Sequence, residues 1–152
     1  MNKVSIYIKS ILIPVLVGVL VSLIISENID YNSLQKPAIA PPGIVFPIVW
    51  TILYILMGVS YGILKSNGLI DRRIDSVYSH QLVVNALWSI FFFVFKWRFF
   101  AFLWIVLLAI FVFIMIREFY EKNKIAGLIQ IPYFIWVLFA SYLNFSIYLL
   151  NR

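Results

Sequence analysis

Apolar positions in this chain neither alternate nor keep to one face; they run on without a break. Five such stretches, at residues 4–25, 44–64, 74–95, 99–119 and 125–150, are separated by short polar segments. Each holds about 20 residues or more, enough for a helix to cross a ~30 Å hydrocarbon layer. In lipid a chain must satisfy its own backbone, which leaves helix bundles and closed barrels. Runs of this length without period-2 polarity exclude the barrel. The pattern predicts an all-α integral membrane protein, a bundle of five transmembrane helices forming one domain over residues 1–152.

The polar and aromatic positions inside these stretches are ordered too. In the second, Phe46, Trp50, Tyr54, Gly58 and Tyr61 recur at spacings of four, four, four and three, which places them on one helical face. A lipid-facing stripe would be Leu, Ile and Val, so this face is expected to meet protein or a ligand. The third stretch puts Gln81, Asn85, Trp88 and Phe91 or Phe92 on one stripe. Carboxamides in a membrane need partners, so these either bond to neighbouring helices or line a cavity, and the accompanying tryptophan favours the cavity wall. The fifth stretch repeats the pattern with Tyr133, Trp136, Ala140 and Asn144, with Ser141 beside them. The fourth is plain, mostly Leu, Ile, Val and Phe with Trp104, and is assigned to packing and lipid contact.

Breakers complete the map. Pro14 lies inside the first span and is expected to bend it, as a packing kink. Pro132 stands one turn before Trp136 and is expected to open the fifth helix around that ring. Gly58-Val59-Ser60-Tyr61-Gly62 is a small-xxx-small pattern, read as close helix approach or as room for a flat ligand. Residues 27–42 form the longest connection; they contain Tyr31, and Pro37, Pro41 and Pro42 stiffen them into an expected lid. Phe95-Lys96-Trp97-Arg98-Phe99 has the makeup of an interfacial turn, with Trp97 as a membrane anchor.

Composition narrows the chemistry. Only 12% of residues are charged, which fits a membrane domain and no soluble one. Lys3 and Lys9 precede an apolar run, but Ser22 to Ser26 is a poor cleavage site, so the first span is expected to remain as a helix. The net charge of +6 would suit nucleic acid, yet the basic residues sit in the connections, where they set topology and meet anionic lipid. The N-terminus with the second and fourth connections carries eight Lys and Arg, against four on the opposite side. That asymmetry predicts a cytoplasmic N-terminus and an outer C-terminus. There is no cysteine and one histidine, His80, near the start of the third span, so no metal site is predicted and no nucleophile has a base. No carboxylate lies deep in any span, which counts against a proton-coupled pump. Trp50 and Tyr54, Gln81, Asn85 and Trp88, and Trp136 and Asn144 thus form either an aromatic pocket for a large flat apolar ligand or a ring-packed bundle core.

Motifs along the whole chain resemble the TspO/MBR family of tryptophan-rich sensory proteins, which includes the animal translocator protein or peripheral benzodiazepine receptor. They are Lys36-Pro37, Pro41-Pro42-Gly43, Phe46-Pro47, Val49-Trp50-Thr51, Leu53-Tyr54 and Gly58; Gln81-Leu82, Asn85 and Leu87-Trp88-Ser89; and Pro132-Tyr133, Trp136, Ala140 and Tyr142-Leu143-Asn144. The resemblance implies a five-helix bundle, often a homodimer, with a pocket roofed by the first long loop. It implies binding of protoporphyrin IX or a related tetrapyrrole, with no other cofactor required, and of benzodiazepine-type ligands such as PK11195. Bacterial relatives are linked to light-dependent oxidative degradation of the porphyrin, with transport or sensing of tetrapyrroles or sterols as the alternative. By motif, Trp50, Asn85, Trp136 and Asn144 would line the pocket, with Tyr31 and Pro41 in the lid. Trp50 and Trp136 would be the photochemically active rings, facing one another. Phe46, Tyr54, Gln81, Trp88, Ala140 and Ser141 complete the expected ligand set. Ile39 stands where the family often has an aromatic residue, and Leu143, Tyr148 and Arg152 match the animal sterol motif only in spacing. The lack of cysteine and the basic N-terminal side point to a bacterial cell membrane.

Overall fold

A computed structural model describes residues 2–152. Helix α1 (Lys3–Ile25) opens on Asn2, whose side-chain oxygen accepts the Ser5 N–H at 2.8 Å, and continues unbroken past the buried Pro14. After two short 3₁₀ turns come α2 (Val45–Ser66), α3 (Arg72–Ser89), α4 (Arg98–Lys122), α5 (Lys124–Leu128) and α6 (Ile131–Asn151). Asp71 caps α3 by accepting the Ile74 N–H at 2.8 Å, and Asn123 caps α5 through the Ala126 N–H at 3.1 Å. Five helical segments are long and apolar enough to cross a membrane, and no strand occurs among the described residues. This is an all-α, multi-pass membrane protein.

Two local features differ from the sequence reading. The last span is not one helix: α5 ends at Leu128, and α6 restarts at Ile131. Pro132 sits in the first turn of α6, where its missing N–H removes no helical bond, so it starts that helix and opens nothing around Trp136. The third span, in turn, ends in a π turn, Ile90–Val94, and Lys96 follows at φ 58°, which reverses the chain into α4. No sequence signal announces the π turn, whereas the reversal at Lys96 falls in the expected interfacial turn of residues 95–99.

Helix α1 lies along α2, and α4 packs against α3, α5 and α6. Glycine sets the first contact. A Cβ on Gly58 would strike the α1 backbone at Ser10 and Ile11, and one on Gly62 would come within 2.7 Å of the Tyr7 ring. The small-xxx-small motif is therefore a helix seam. Helix α4 buries Ala101, Ile105, Leu108, Val112, Met115 and Phe119, at alternating spacings of four and three that keep one stripe turned inward. It lends no side chain to the cavity described below, in line with its assignment to packing.

Ion pairs sort the connections into two ends. Asp30 meets Arg98 at 2.7 Å, and Asn151 bonds both backbone groups of Gln35, joining the first loop, the third loop and the C-terminus. At the other end Asp71 meets Lys122 and Arg73 meets Glu118, each at 2.8 Å.

Candidate functional site

Between the α1–α2 pair and the wall made by α3, the π turn and α6 lies a cavity of about 920 Å³. Helix α1 presents Val15, Gly18, Ser22 and Ile25 to it, and α2 presents Phe46, Trp50 and Tyr54. Trp88, Phe92 and Phe93 form the third side, with Ala140, Leu143, Asn144 and Ile147 on the fourth, while Asp30, Tyr31, Asn32 and Ser33 roof one end. The walls are mostly apolar and ring-rich, with a few amides and hydroxyls, the makeup of a small-molecule site.

The rings meet edge to face except for Trp50 and Tyr54, which are tilted by 31°. Tyr31 meets Phe46 with centroids 4.9 Å apart, and Phe46 meets Trp136 at 5.7 Å. Trp50 sits between Tyr54 at 5.7 Å and Tyr133 at 6.2 Å. Asn144 is fixed at both ends of its amide: Oδ1 accepts the Trp88 indole N–H at 2.9 Å, and Nδ2 donates to the Arg98 carbonyl at 2.8 Å. The Arg98 guanidinium in turn holds Asp30, so one chain of bonds runs from a cavity wall to the roof.

The roofing loop is tied down within itself as well. The Tyr31 hydroxyl donates to the Pro41 carbonyl at 2.6 Å, and the Lys36 ammonium donates to the carbonyls of Tyr31 and Leu34 at 2.8 and 2.9 Å. Burial pushes the Tyr31 hydroxyl above its ordinary pKa, so it stays a donor through neutral and mildly alkaline pH.

Beneath the cavity runs a buried polar line. Tyr54 donates to Asn85 Oδ1 at 2.7 Å, Asn85 Nδ2 donates to the Tyr133 hydroxyl at 2.7 Å, and Tyr133 donates to Gln81 Oε1 at 2.8 Å. This line ties α2, α3 and α6 together where water is absent and partners are compulsory.

Of the residues singled out from the sequence, Tyr31, Phe46, Trp50, Tyr54, Trp88, Ala140 and Asn144 line the cavity. Gln81 and Asn85 do not; they take the interhelical role that was the other reading of two amides on one stripe. Ser141 turns back to the Val137 carbonyl at 2.8 Å, and Pro41 serves through its carbonyl from behind Tyr31. Trp136 lies behind Phe46, its indole N–H buried without a partner among the described residues, and Trp50 faces Tyr133 and Tyr54 instead of Trp136. His80 stays outside the cavity, exposed on α3 with Nδ1 2.6 Å from the Ser76 carbonyl. No cluster of three or more metal-ligating side chains occurs among the described residues.

The sequence reading missed the α1 wall and the Asp30–Arg98 link. The α1 wall had a signal: Val15, Gly18, Ser22 and Ile25 recur at three, four and three, with a glycine and a serine among aliphatic neighbours. The link had none, because its partners are 68 residues apart.

Fold and cavity together define a multi-pass helical membrane protein built around an internal, ring-lined chamber under a clasped loop. The TspO/MBR family profile matches residues 10–150, and the chain belongs to that family. It is 37% identical over 147 residues to the tryptophan-rich protein TspO of Archaeoglobus fulgidus, covering 95% of each chain. It is 34% identical over 124 residues to the tryptophan-rich sensory protein of Cereibacter sphaeroides (80% of this chain, 76% of the relative). To the translocator protein of Sus scrofa it is 29% identical over 126 residues, 80% and 75% of the two chains.

Proposed function

We propose that the cavity binds protoporphyrin IX or a closely related tetrapyrrole, and that the protein promotes its light-dependent oxidative degradation. The observation that carries this reading is the chamber itself. Its volume of about 920 Å³ lies near the top of the roughly 300–1,000 Å³ range of ligand sites, and its apolar ring walls suit a wide flat macrocycle. Asn32 and Ser33 supply polar groups at the roofed end, where Arg98 and Lys96 offset the charge of Asp30, so the macrocycle would lie against the rings with its carboxylates toward the loop. The same walls would take benzodiazepine-type ligands such as PK11195.

Trp50, which lines the chamber directly, would exchange an electron with the excited porphyrin. Trp136 would act one ring further out, through Phe46. Dioxygen is the oxidant, and its atoms end in the opened tetrapyrrole. The chain's own part is to hold the macrocycle against the indole and to shield the reactive species from bulk water. Basic connections at the N-terminal end support a cytoplasmic N-terminus in a bacterial cell membrane, and the family resemblance supports a homodimer.

Illumination of the protein with protoporphyrin should yield a new absorbing product, slowed severalfold in Trp50→Phe and less in Trp136→Phe. Product formation unchanged in the double variant would contradict ring-mediated turnover. A carrier or sensor role without turnover is the second reading, favoured by the exposed Val19 and Thr51 on the cavity wall, which leave it partly open. Flux across proteoliposomes in the dark, with the porphyrin recovered intact, would establish that role instead.

A further inference from the structure

A second cavity, of about 510 Å³, lies between α1, α2 and α3 at the end away from the roofing loop. We infer that it holds the headgroup and upper acyl chain of one anionic phospholipid. Lys9 of α1 and Lys65 of α2 both line it, and neither ammonium has an ion-pair partner among the described residues, whose four ion pairs lie elsewhere. Lys65 is exposed at the rim, with its ammonium 6.0 Å from the centroid of the Tyr61 ring. The one carboxylate at the rim, Asp75, already accepts the Tyr61 hydroxyl at 2.6 Å. Two cations against one engaged carboxylate leave the mouth positive, at the depth where headgroups lie.

Below this charged mouth the groove becomes apolar. Ile13 and Val83 line it and are more than half exposed, at 56% and 58%, so its lower part continues into the lipid-facing surface. Positive above and aliphatic below is the complement of a phosphodiester with its chain, and it would hold a free phosphate poorly. The tilted ring pair Tyr61 and Tyr78, with centroids 4.7 Å apart, closes the inner side against a macrocycle.

The test is the full chain in nanodiscs of phosphatidylcholine with a minor fraction of phosphatidylglycerol, gently released and weighed by native mass spectrometry. About one phosphatidylglycerol per chain should be retained in preference to phosphatidylcholine. The variant Lys9→Gln with Lys65→Gln should lose that preference, by about fivefold per lysine, and Lys9→Arg with Lys65→Arg should keep it. Lys3→Gln with Arg72→Gln removes the same charge from the same end outside the groove and should also keep it. Equal loss in the two neutralised variants, or no preference in the unaltered chain, would overturn the assignment.

Discussion

Trp50 owes its position to two phenols. Tyr54 lies one turn along the same helix, and Tyr133 reaches across from α6, so the indole is braced on both sides with its remaining surface toward the chamber. Asn85 acts differently: it keeps Tyr54 and Tyr133 supplied with partners where lipid offers none. Asn85→Leu leaves two hydroxyls short of a bond, and thermal unfolding in detergent should register a loss of about 1–2 kcal/mol. Porphyrin affinity should fall less than in a Trp50 variant, because Asn85 does not line the cavity. Tyr31→Phe removes the bond to the Pro41 carbonyl while keeping the edge contact with Phe46. Stopped-flow displacement should then show ligand release faster by about fivefold, the equivalent of one hydrogen bond of ~1 kcal/mol.

Helices here are placed by small residues as much as by large ones. Gly58 lets α1 approach α2 until the backbone of Ile11 fills the space of a side chain. Gly58→Val must push the two helices apart, and its cost should be about 1–3 kcal/mol in the same unfolding assay. Gly18→Ala tests the cavity more narrowly, since its Cβ would come within 2.6 Å of the Tyr54 ring and so force a wall residue to move. At the opposite end Asp71 both caps α3 and clasps α4. Its carboxyl is held below the ordinary range by the Lys122 hydrogen bond first and the Ile74 N–H second. A depressed folded-state pKa stabilises above the unfolded value and is lost as pH falls through the depressed one. Asp71→Asn should therefore be less stable than the unaltered chain at neutral pH and indistinguishable from it in strong acid.

The same elements mark how far the sequence could be read. Uninterrupted apolar runs located all five spans to within a few residues, because lipid imposes length and continuity on every spanning helix. The stripes on α2 and α6 brought Trp50, Tyr54 and Asn144 to the cavity, since helical period fixes which residues share a face. Period does not say how far a side chain reaches inward, and that is why Gln81 and Asn85 proved to lie beneath the chamber. Nor does it reveal a break such as Ile129 and Gln130, where α5 gives way to α6, or a bond such as Asp30 to Arg98 that depends on two loops meeting.

Across the molecule, the two ends carry different work. One end clasps its loops over the chamber through Asp30, Arg98, Gln35 and Asn151; the other braces α3 against α4 with surface ion pairs and carries most of the positive charge. The chain has no cysteine, so a single engineered thiol can report on each end without background. With a cytoplasmic N-terminus, Ser33→Cys should react with an impermeant maleimide added outside intact cells, and Asn67→Cys only after lysis. The reverse pattern would invert the topology while leaving the fold intact.

The claim on which the rest depends is that the chamber under the loop takes a tetrapyrrole against Trp50. Titration of the purified protein with protoporphyrin IX in the dark, followed through tryptophan emission, tests it most directly. Quenching that saturates, and that loses a large share of its amplitude in Trp50→Phe but little in Trp97→Phe on the exposed interfacial turn, is the predicted result. Quenching that never saturates, or that is the same in both variants, would contradict it.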